Sequence, residues 1–375
     1  MLKGKVNLAL MIGPAVPIPV SKSIIDALVN VQVRTSAGEA SGFQLTFKFS
    51  SKSALNTLLL LLGQVGPLVR VIISVTVNGV PNVLIDGMIG QHQVSPNVET
   101  GESTLTVSGT DLESVMGAFD FSGFPFPCMP AEARVALIVA KYSLFGMIPL
   151  VIPSLFFDVP IITDRIPLQT GKDLEYVKKL AARVGYVFYI EPGPSPGMNI
   201  AYWGPEIKVG TPQPALNINM DALTNVEALS FSFNGNSKVM PIIYIQNEQT
   251  RVPIPIPIPD ITPLNPPLGA IPPIPAQFNF MTDTVNLNPI QAIALGAAEA
   301  AKTADAVTGT GTLDVIRYGR VLKARALVGV RGASDAFNGL YYVKSVTHKI
   351  QRGEYKQDFT LARNGLLSTV SRVPA

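Results

Sequence analysis

Hydrophobic and polar positions alternate with period two along much of the chain, the signature of half-buried strands. Phe43, Leu45, Phe47 and Phe49 alternate with Gln44, Thr46 and Lys48. With the run Val29 to Thr35 and the small-residue turn Ser36 to Gly42, this predicts a hairpin. Leu58 to Leu62 is apolar all round, which predicts a short buried helix over Ser51 to Gly63, capped by Ser51 or Ser53. Strands resume over Val69 to Asn78, Val83 to Val94 and Ser103 to Gly109, with Asn78-Gly79 as a hairpin turn. Short strands at this spacing predict a small antiparallel barrel or sandwich.

The period then lengthens. Asp111 to Phe119 reads as a short helix capped by Asp111, and Ala131 to Phe145 as a helix burying Val135, Ile138, Val139 and Tyr142. Leu174, Val177, Leu180, Ala181 and Val184 recur at helical spacing. Thr170 is placed as its cap, with Asp173 in a capping-box position and Gly185 as terminator. A strand, Tyr186 to Glu191, follows at once, so this part is α+β. Glu191 to Pro214 reads as loop and holds the one tryptophan, Trp203.

Val226 to Phe233 and Val239 to Gln246 predict two further strands. Val252 to Pro259 alternates proline with valine or isoleucine, which predicts an extended, polyproline-like excursion rather than a central strand. Asn288 to Val307 suits a helix weakened by Gly296. Gly309 to Asp314 weakly resembles a phosphate-binding loop but reads as a flexible return, with strand structure resuming at Thr312. The last segment is a meander. Leu322, Ala324, Ala326, Val328 and Val330 alternate with Lys323, Arg325 and Arg331, then Leu340 to Ile350 and Tyr355 to Leu361 follow across tight turns. Such a meander needs partners to cover its apolar face. Val226 to Gln246 is the nearest supply, which predicts a second, split barrel.

The resulting organisation is an N-terminal arm (1–25), a first β-barrel domain (26–110) and an α+β middle domain (111–215). A second barrel is split between 216–250 and 312–367, around a Pro-rich and Ala-rich insertion (251–311), and a tail (368–375) follows. The fold class is α+β, mainly β.

Composition sharpens this picture. Charged residues are 15% and hydrophobic ones 47% of 375 residues, which suits a chain that buries surface against other subunits. A net charge of +3 is too small to argue for specific nucleic-acid binding. Lys3 and Lys5 precede an apolar run, but Gly13, Pro14, Pro17 and Pro19 interrupt it, so it reads as an extended arm or edge strand rather than a signal peptide. Ala133 to Ile162 is too interrupted for a membrane span.

Candidate chemistry is sparse. His92 and His348 each fall in a strand pattern and read as surface or interface residues; Cys128 lacks a local Cys or His partner. No Walker A motif, nucleophile elbow or defensible carboxylate dyad is present, so neither catalysis, a metal nor a cofactor is expected. A denser basic set spans Arg317 to Arg363. Lys323, Arg325, Arg331, Lys344, Lys349, Arg352 and Lys356 are its candidates for a docking rim or channel wall, against the plainer reading of a solvated sheet face.

Gly171 to Gly193, GKDLEYVKKLAARVGYVFYIEPG, resembles the helix–strand signature of the phage late-control protein D family, the baseplate hub of contractile tails. That family is related to the N-terminal hub part of the valine-glycine-repeat (VgrG) spike proteins. Asn338 to Gly365 is similar to the strands closing the family's second barrel, and Leu84 to Met116 to the end of its first. The resemblance implies two tube-like antiparallel barrels per chain and a homotrimer forming a pseudo-six-fold barrel ring. It implies a structural rather than enzymatic role, joining a hexameric inner tube to a trimeric spike beside other baseplate subunits, with cargo in the lumen. Assembly in the bacterial cytoplasm into a phage tail or injection particle follows from the same resemblance. The chain runs ten residues past Gly365, so the spike is expected to be a separate protein. Alternatives are the hub of a non-contractile tail, a tail-associated cell-wall hydrolase, or a glycan-binding module signalled by Tyr202-Trp203.

Overall fold

The computed structural model describes residues 6–49, 68–96, 103–155, 159–160, 163, 166–246, 249, 252–285, 287–371 and 373. The helix expected over Ser51 to Gly63 lies outside them. β1 (Val6–Gly13), β2 (Ile18–Pro19) and a short helix α1 (Lys22–Ala27) lead into β3 (Leu28–Ser36) and β4 (Gly42–Phe49). β5 (Arg70–Val77), β6 (Val80–Pro96) and β7 (Ser103–Asp111) follow, then helices α2 (Glu113–Met116) and α3 (Ala131–Ala140). β8 (Met147–Val151), α4 (Asp173–Arg183), β9 (Val187–Pro192), β10 (Asn199–Gly204) and β11 (Gln213–Asn217) complete the middle of the chain. Next come β12 (Val226–Phe233), β13 (Val239–Gln246), β14 (Pro253–Pro257), β15 (Gly269–Ile271), β16 (Gln277–Met281) and helix α5 (Pro289–Lys302). The chain ends with β17 (Val307–Asp314), α6 (Val315–Tyr318), β18 (Leu327–Arg331), β19 (Gly339–Gln351), β20 (Glu354–Arg363) and β21 (Leu366–Ser368).

The architecture is mainly β, and one long sheet dominates it, in the order β12-β17-β20-β19-β3-β4-β7-β6-β5-β1-β2, with β18 and β11 attached beside β19. The period-two alternation works as expected: Phe43, Leu45 and Phe47 are buried in the same core as Val31, Val33, Leu105 and Val107. Asn78 and Gly79 both adopt positive φ, which a tight hairpin requires. The N-terminal apolar run is a strand: β1 pairs antiparallel with β5 along its length, burying Val6, Leu10 and Ile12. The sheet curls, because Val6 and Leu8 of β1 line one groove with Leu28 and Val31 of β3, several strands away.

β19 is the joint of this sheet. Its first residues, Gly339 to Tyr342, pair with β18, whereas Ser345 to Gln351 pair with β3, and β20 runs along its other edge. The register with β20 shifts between Val343 and Ser345, where β19 passes from one neighbour to the other. Strands from the two ends of the chain thus form one ladder with a shared core.

Several expectations are corrected. Val239 to Gln246 does not pair with the meander. As β13 it lies between β14 and β16 in a separate sheet covered on one face by α5. The meander is instead joined by β12 through β17, and by β3. The Val-Pro-Ile run is partly a strand, β14, at the edge of that small sheet. Ile258 donates its N–H to Pro241, and Ile254 and Ile256 share its parity, so Pro253, Pro255 and Pro257 face away from β13 where no donor is needed. Strand structure resumes at Val307 rather than Thr312, and the supposed return loop is β17. Gly309 and Gly311 are there for packing: an added Cβ would sit 2.7 Å from the Phe231 ring or 2.6 Å from the Phe359 ring. Leu322 to Ala326 is not strand, because Arg325 turns through a φ of 59° and Gln357 and Gln213 hold the backbones of Leu322 and Lys323. Trp203, expected in a loop, is fully buried in β10. Among the described residues no helix is long and apolar enough to cross a membrane.

Candidate functional site

The basic candidates are held in three places. Lys349 and Lys356 stand opposite each other across β19 and β20, on the face turned from the core. Lys349 pairs with Asp358, and Lys356 bridges Glu354 at 2.8 Å and Glu227 at 3.0 Å, contacts that raise its pKa. Ser230, Thr310, Thr312, Ser345, Thr347 and Thr360 line an open trough beside Asp358 on that face. The face is therefore hydroxyl-rich with its charges paired, rather than a basic wall. Lys344 reaches Asp305 at 3.1 Å, Arg331 donates to the carbonyl of Val373, and Arg352 to that of Asp26. Lys323 is exposed.

Arg325 sits elsewhere, at the junction between the meander and the middle of the chain. It donates to the Ser36 carbonyl at 2.6 Å and its guanidinium lies 4.1 Å from the centroid of the Tyr189 ring. A cavity of about 250 Å³ opens there, lined by Glu39, Glu113, Lys178, Glu206, Arg325 and Tyr342 among others. Asp111 lies nearby, accepting from the backbone N–H groups of Ser41 and Glu113. The second of these is the capping contact expected of Asp111, although the residue flanking α2 is Leu112. Burial, and then the Glu113 carboxylate, push the Asp111 pKa up to about 7.

Sequence reasoning missed the buried polar joints. Arg70 forms a two-pronged contact with Asp86, Nε to Oδ1 at 2.7 Å and Nη2 to Oδ2 at 2.6 Å. It also donates to the carbonyls of Ala15 and Phe145, and Asn199 donates to the same Asp86 carboxylate. One ion pair thus ties the long sheet to the N-terminal segment and to the β8–β10 region. Asp173, expected in a capping box with Thr170, is wholly buried and accepts from Lys141, Tyr142 and Gln169, while the residue flanking α4 is Lys172. Arg363, grouped with the solvated basic face, is fully buried. His348 is buried as well, its Nδ1 2.8 Å from the Tyr355 hydroxyl, and burial lowers its pKa to about 3. His92 is exposed. Arg70 gave no signal because its partners Asp86, Ala15 and Phe145 are distant in the chain. His348 and Arg363 share the parity of buried neighbours, Val346 and Ile350 for the first and Phe359 and Leu361 for the second, and only their polarity argued for water.

The glycan-binding expectation required an exposed aromatic pair at Tyr202 and Trp203, and both rings are buried. Among the described residues no group of three His, Cys, Asp or Glu could hold a metal, and Cys128 is exposed and unpaired with another cysteine.

No family model matches the chain and no curated protein matches it in sequence. Solved structures do. A tail protein from Neisseria meningitidis aligns over 97% of this chain and 98% of its own, with a TM-score of 0.62 at 12% identity. The 43 kDa tail protein of prophage MuSo2 from Shewanella oneidensis aligns over 95% and 98%, with a TM-score of 0.58 at 12% identity. A type VI secretion component from E. coli, described as structurally similar to bacteriophage T4 tail proteins, aligns over 93% and 76%, with a TM-score of 0.53 at 10% identity. The fold is therefore the one that these phage-tail and type VI secretion proteins share.

Proposed function

We propose that this chain is the structural hub of a baseplate in a contractile tail or injection particle. In this reading three copies form a ring, with two rolled sheet domains per copy giving pseudo-six-fold symmetry. One side of the ring meets a hexameric inner tube, and the other a separately encoded trimeric spike. The domain limits 26–110 for the first roll, 111–215 for the middle domain and 312–367 for the core of the second belong to this proposal. So does a role without catalysis, in a particle assembled in the bacterial cytoplasm.

The observation that carries it is β19. By pairing with β18 and β20 in its first half and with β3 and β20 in its second, it joins both halves of the long sheet into one continuous body. A ring that transmits register between a tube and a spike needs such a body, since two loosely linked rolls could not match a six-fold partner. The near end-to-end match to a tail protein supports the same reading. We place the hydroxyl-rich face of β17, β20 and β19, with Lys349 and Lys356, against the tube or the passing cargo.

Light scattering of the purified protein should give the mass of three chains, and the trimer should bind tube protein in a pull-down. A stable monomer that captures neither tube nor spike protein would sink the proposal. Val346→Pro should abolish assembly. Val346 sits where β19 is flanked by both β20 and β3, so one ladder bond is lost whichever way its N–H points.

A further inference from the structure

Helices α3 and α4, the segment before α4 and the start of α5 enclose an open cleft of about 570 Å³. α5 is held against the end of α4 at Gly185, where an added Cβ would fall 2.5 Å from Ala298. Three cations line the cleft: Arg134 from α3, and Lys179 and Arg183 from α4. Lys179 and Arg183 are exposed. Arg134 is half-buried; its Nη1 donates to the Tyr176 hydroxyl at 2.7 Å, and its Nε, shut from solvent, finds no acceptor among the described residues. Leu168, Leu180, Val184 and Leu287 supply the apolar part of the lining, and Leu168 is 52% exposed.

None of the three cations forms an ion pair among the described residues, and no carboxylate among those residues lines the cleft. The acidic side chains of the enclosing helices are engaged elsewhere. Glu132 accepts from the N–H and hydroxyl of Ser154, and Asp173 accepts from Lys141, Tyr142 and Gln169. Glu175 folds over Gly171, where an added Cβ would meet its Oε2 at 2.7 Å, and Glu299 pairs with Lys302 at 2.6 Å. Lys178, beside Lys179 on the same helix, shows the contrast: it turns away to pair with Glu113. Positive charge left without a counter-ion in a concave, partly apolar site draws a negative ligand.

We propose that this cleft takes an extended acidic segment of a partner protein, its carboxylates on Arg134, Lys179 and Arg183 and its apolar side chains against Leu168 and Leu180. Charge complementarity selects an acidic partner. The apolar lining selects a peptide over inorganic phosphate, which has no carbon surface to bury there. A nucleic acid is disfavoured because the one aromatic ring in the lining, Tyr176, is buried and offers no stacking face. The spacing fits as well. Lys179 and Arg183 are one helical turn apart, about 6 Å along α4, and alternate residues of an extended peptide recur every ~6.7 Å. Acidic residues at alternate positions therefore meet both cations at once. The cleft does not depend on the ring reading, and its failure would leave that reading standing.

The test measures fluorescence anisotropy of a labelled, capped peptide, Gly-Glu-Leu-Glu-Leu-Glu-Gly, titrated with the full chain. Gly-Gln-Leu-Gln-Leu-Gln-Gly and a thymidine oligonucleotide of the same charge are the rival probes. The acidic peptide should bind saturably and more weakly as salt rises, and the glutamine peptide should not bind. Lys179→Gln/Arg183→Gln changes two exposed side chains to another good helix former, and should weaken the acidic peptide by about tenfold or more. Arg134→Gln should weaken it as well, with circular dichroism confirming the fold. Lys22→Gln/Arg320→Gln removes two exposed cations outside the cleft and should leave binding unchanged. No saturable binding, or an equal loss in the two double variants, overturns the cleft as a site. Oligonucleotide binding as tight as that of the acidic peptide overturns the choice of partner.

Discussion

Arg70, in the first half of the long sheet, meets a carboxylate; Arg363, at the far end of the second half, meets none among the described residues. Both guanidinium groups are buried. Arg70 is neutralised by Asp86 and further tied to the carbonyls of Ala15 and Phe145, from three separate stretches of chain. Arg363 donates to the carbonyls of Gly365, Asn338 and Ala336 at 2.7 to 2.8 Å and lies over the Tyr341 ring at 4.5 Å. Burial lowers its pKa, with only the Tyr341 hydroxyl offsetting that. The first arginine is a joint between regions; the second is a local clamp that folds the end of β20 against the turn before β19. A buried charge pair raises the stakes of losing one partner, whereas a charge held by dipoles and a ring leaves nothing charged behind.

Replacing Arg70 with methionine should therefore be the most damaging change. It strands the Asp86 carboxylate in the core, at a cost of ~3–5 kcal/mol in urea unfolding. Arg70→Met/Asp86→Leu should recover more than half of that loss. Failure of the double variant to recover would show that the carbonyl contacts, not the ion pair, make the joint.

Arg363→Lys should cost about 2 kcal/mol, since one ammonium cannot reach three carbonyls spread around a planar fork. The guanidinium's seat over Tyr341 is lost as well. A cost equal to that of Arg70→Met would erase the distinction between joint and clamp.

The two halves should also differ in their response to pH. Asp111, at the end of the first half, has its folded pKa raised from 3.8 to about 7. Its contribution is whole below about 3.8, declines as pH rises, and is lost above about 7. His348 in the second half has its pKa lowered from 6.5 to about 3. Its contribution is present above 6.5 and is lost as pH falls toward 3. Between pH 4 and 6.5 the two slopes oppose each other. Asp111→Asn should flatten the decline on the alkaline side, and His348→Gln the decline on the acid side, in melting midpoints measured from pH 4 to 8. Identical pH profiles for wild type and both variants would refute the assignment.

These four residues also mark how far the sequence could be read. Strand positions, the Asn78-Gly79 turn and the α4–β9 unit were legible because period and turn chemistry are local. Partnership was not. Val239 to Gln246 is as apolar as a barrel strand, and only the three-dimensional register sends it to β14 and β16. Gly309 to Asp314 reads as a loop because its glycines mimic flexibility, while their purpose is to admit Phe231 and Phe359. Arg363 shares the parity of the buried Tyr355, Gln357, Phe359 and Leu361 and not that of Lys356 and Asp358, so its place was legible in the alternation and was overridden by its charge. The outward basic residues were found, but the carboxylates that pair with them come from β12, β17's flank and β20, and those neighbours are invisible in a linear chain.

The smallest expected effect belongs to the exposed counterpart of the buried pairs. Lys349 and Asp358 are about half and two-fifths exposed on the hydroxyl-rich face. Water screens such a pair, and holding two flexible side chains together offsets most of the attraction, so Lys349→Gln should change stability by only ~0.2–1 kcal/mol. That small value is what makes the variant useful. If this face meets the tube or cargo, Lys349→Gln should unfold like wild type in urea yet bind tube protein more weakly, with the deficit shrinking as salt rises. A stability loss as large as that of Arg363→Lys would instead mean that the pair supports the β19–β20 ladder, and the face would lose its claim to be a docking surface.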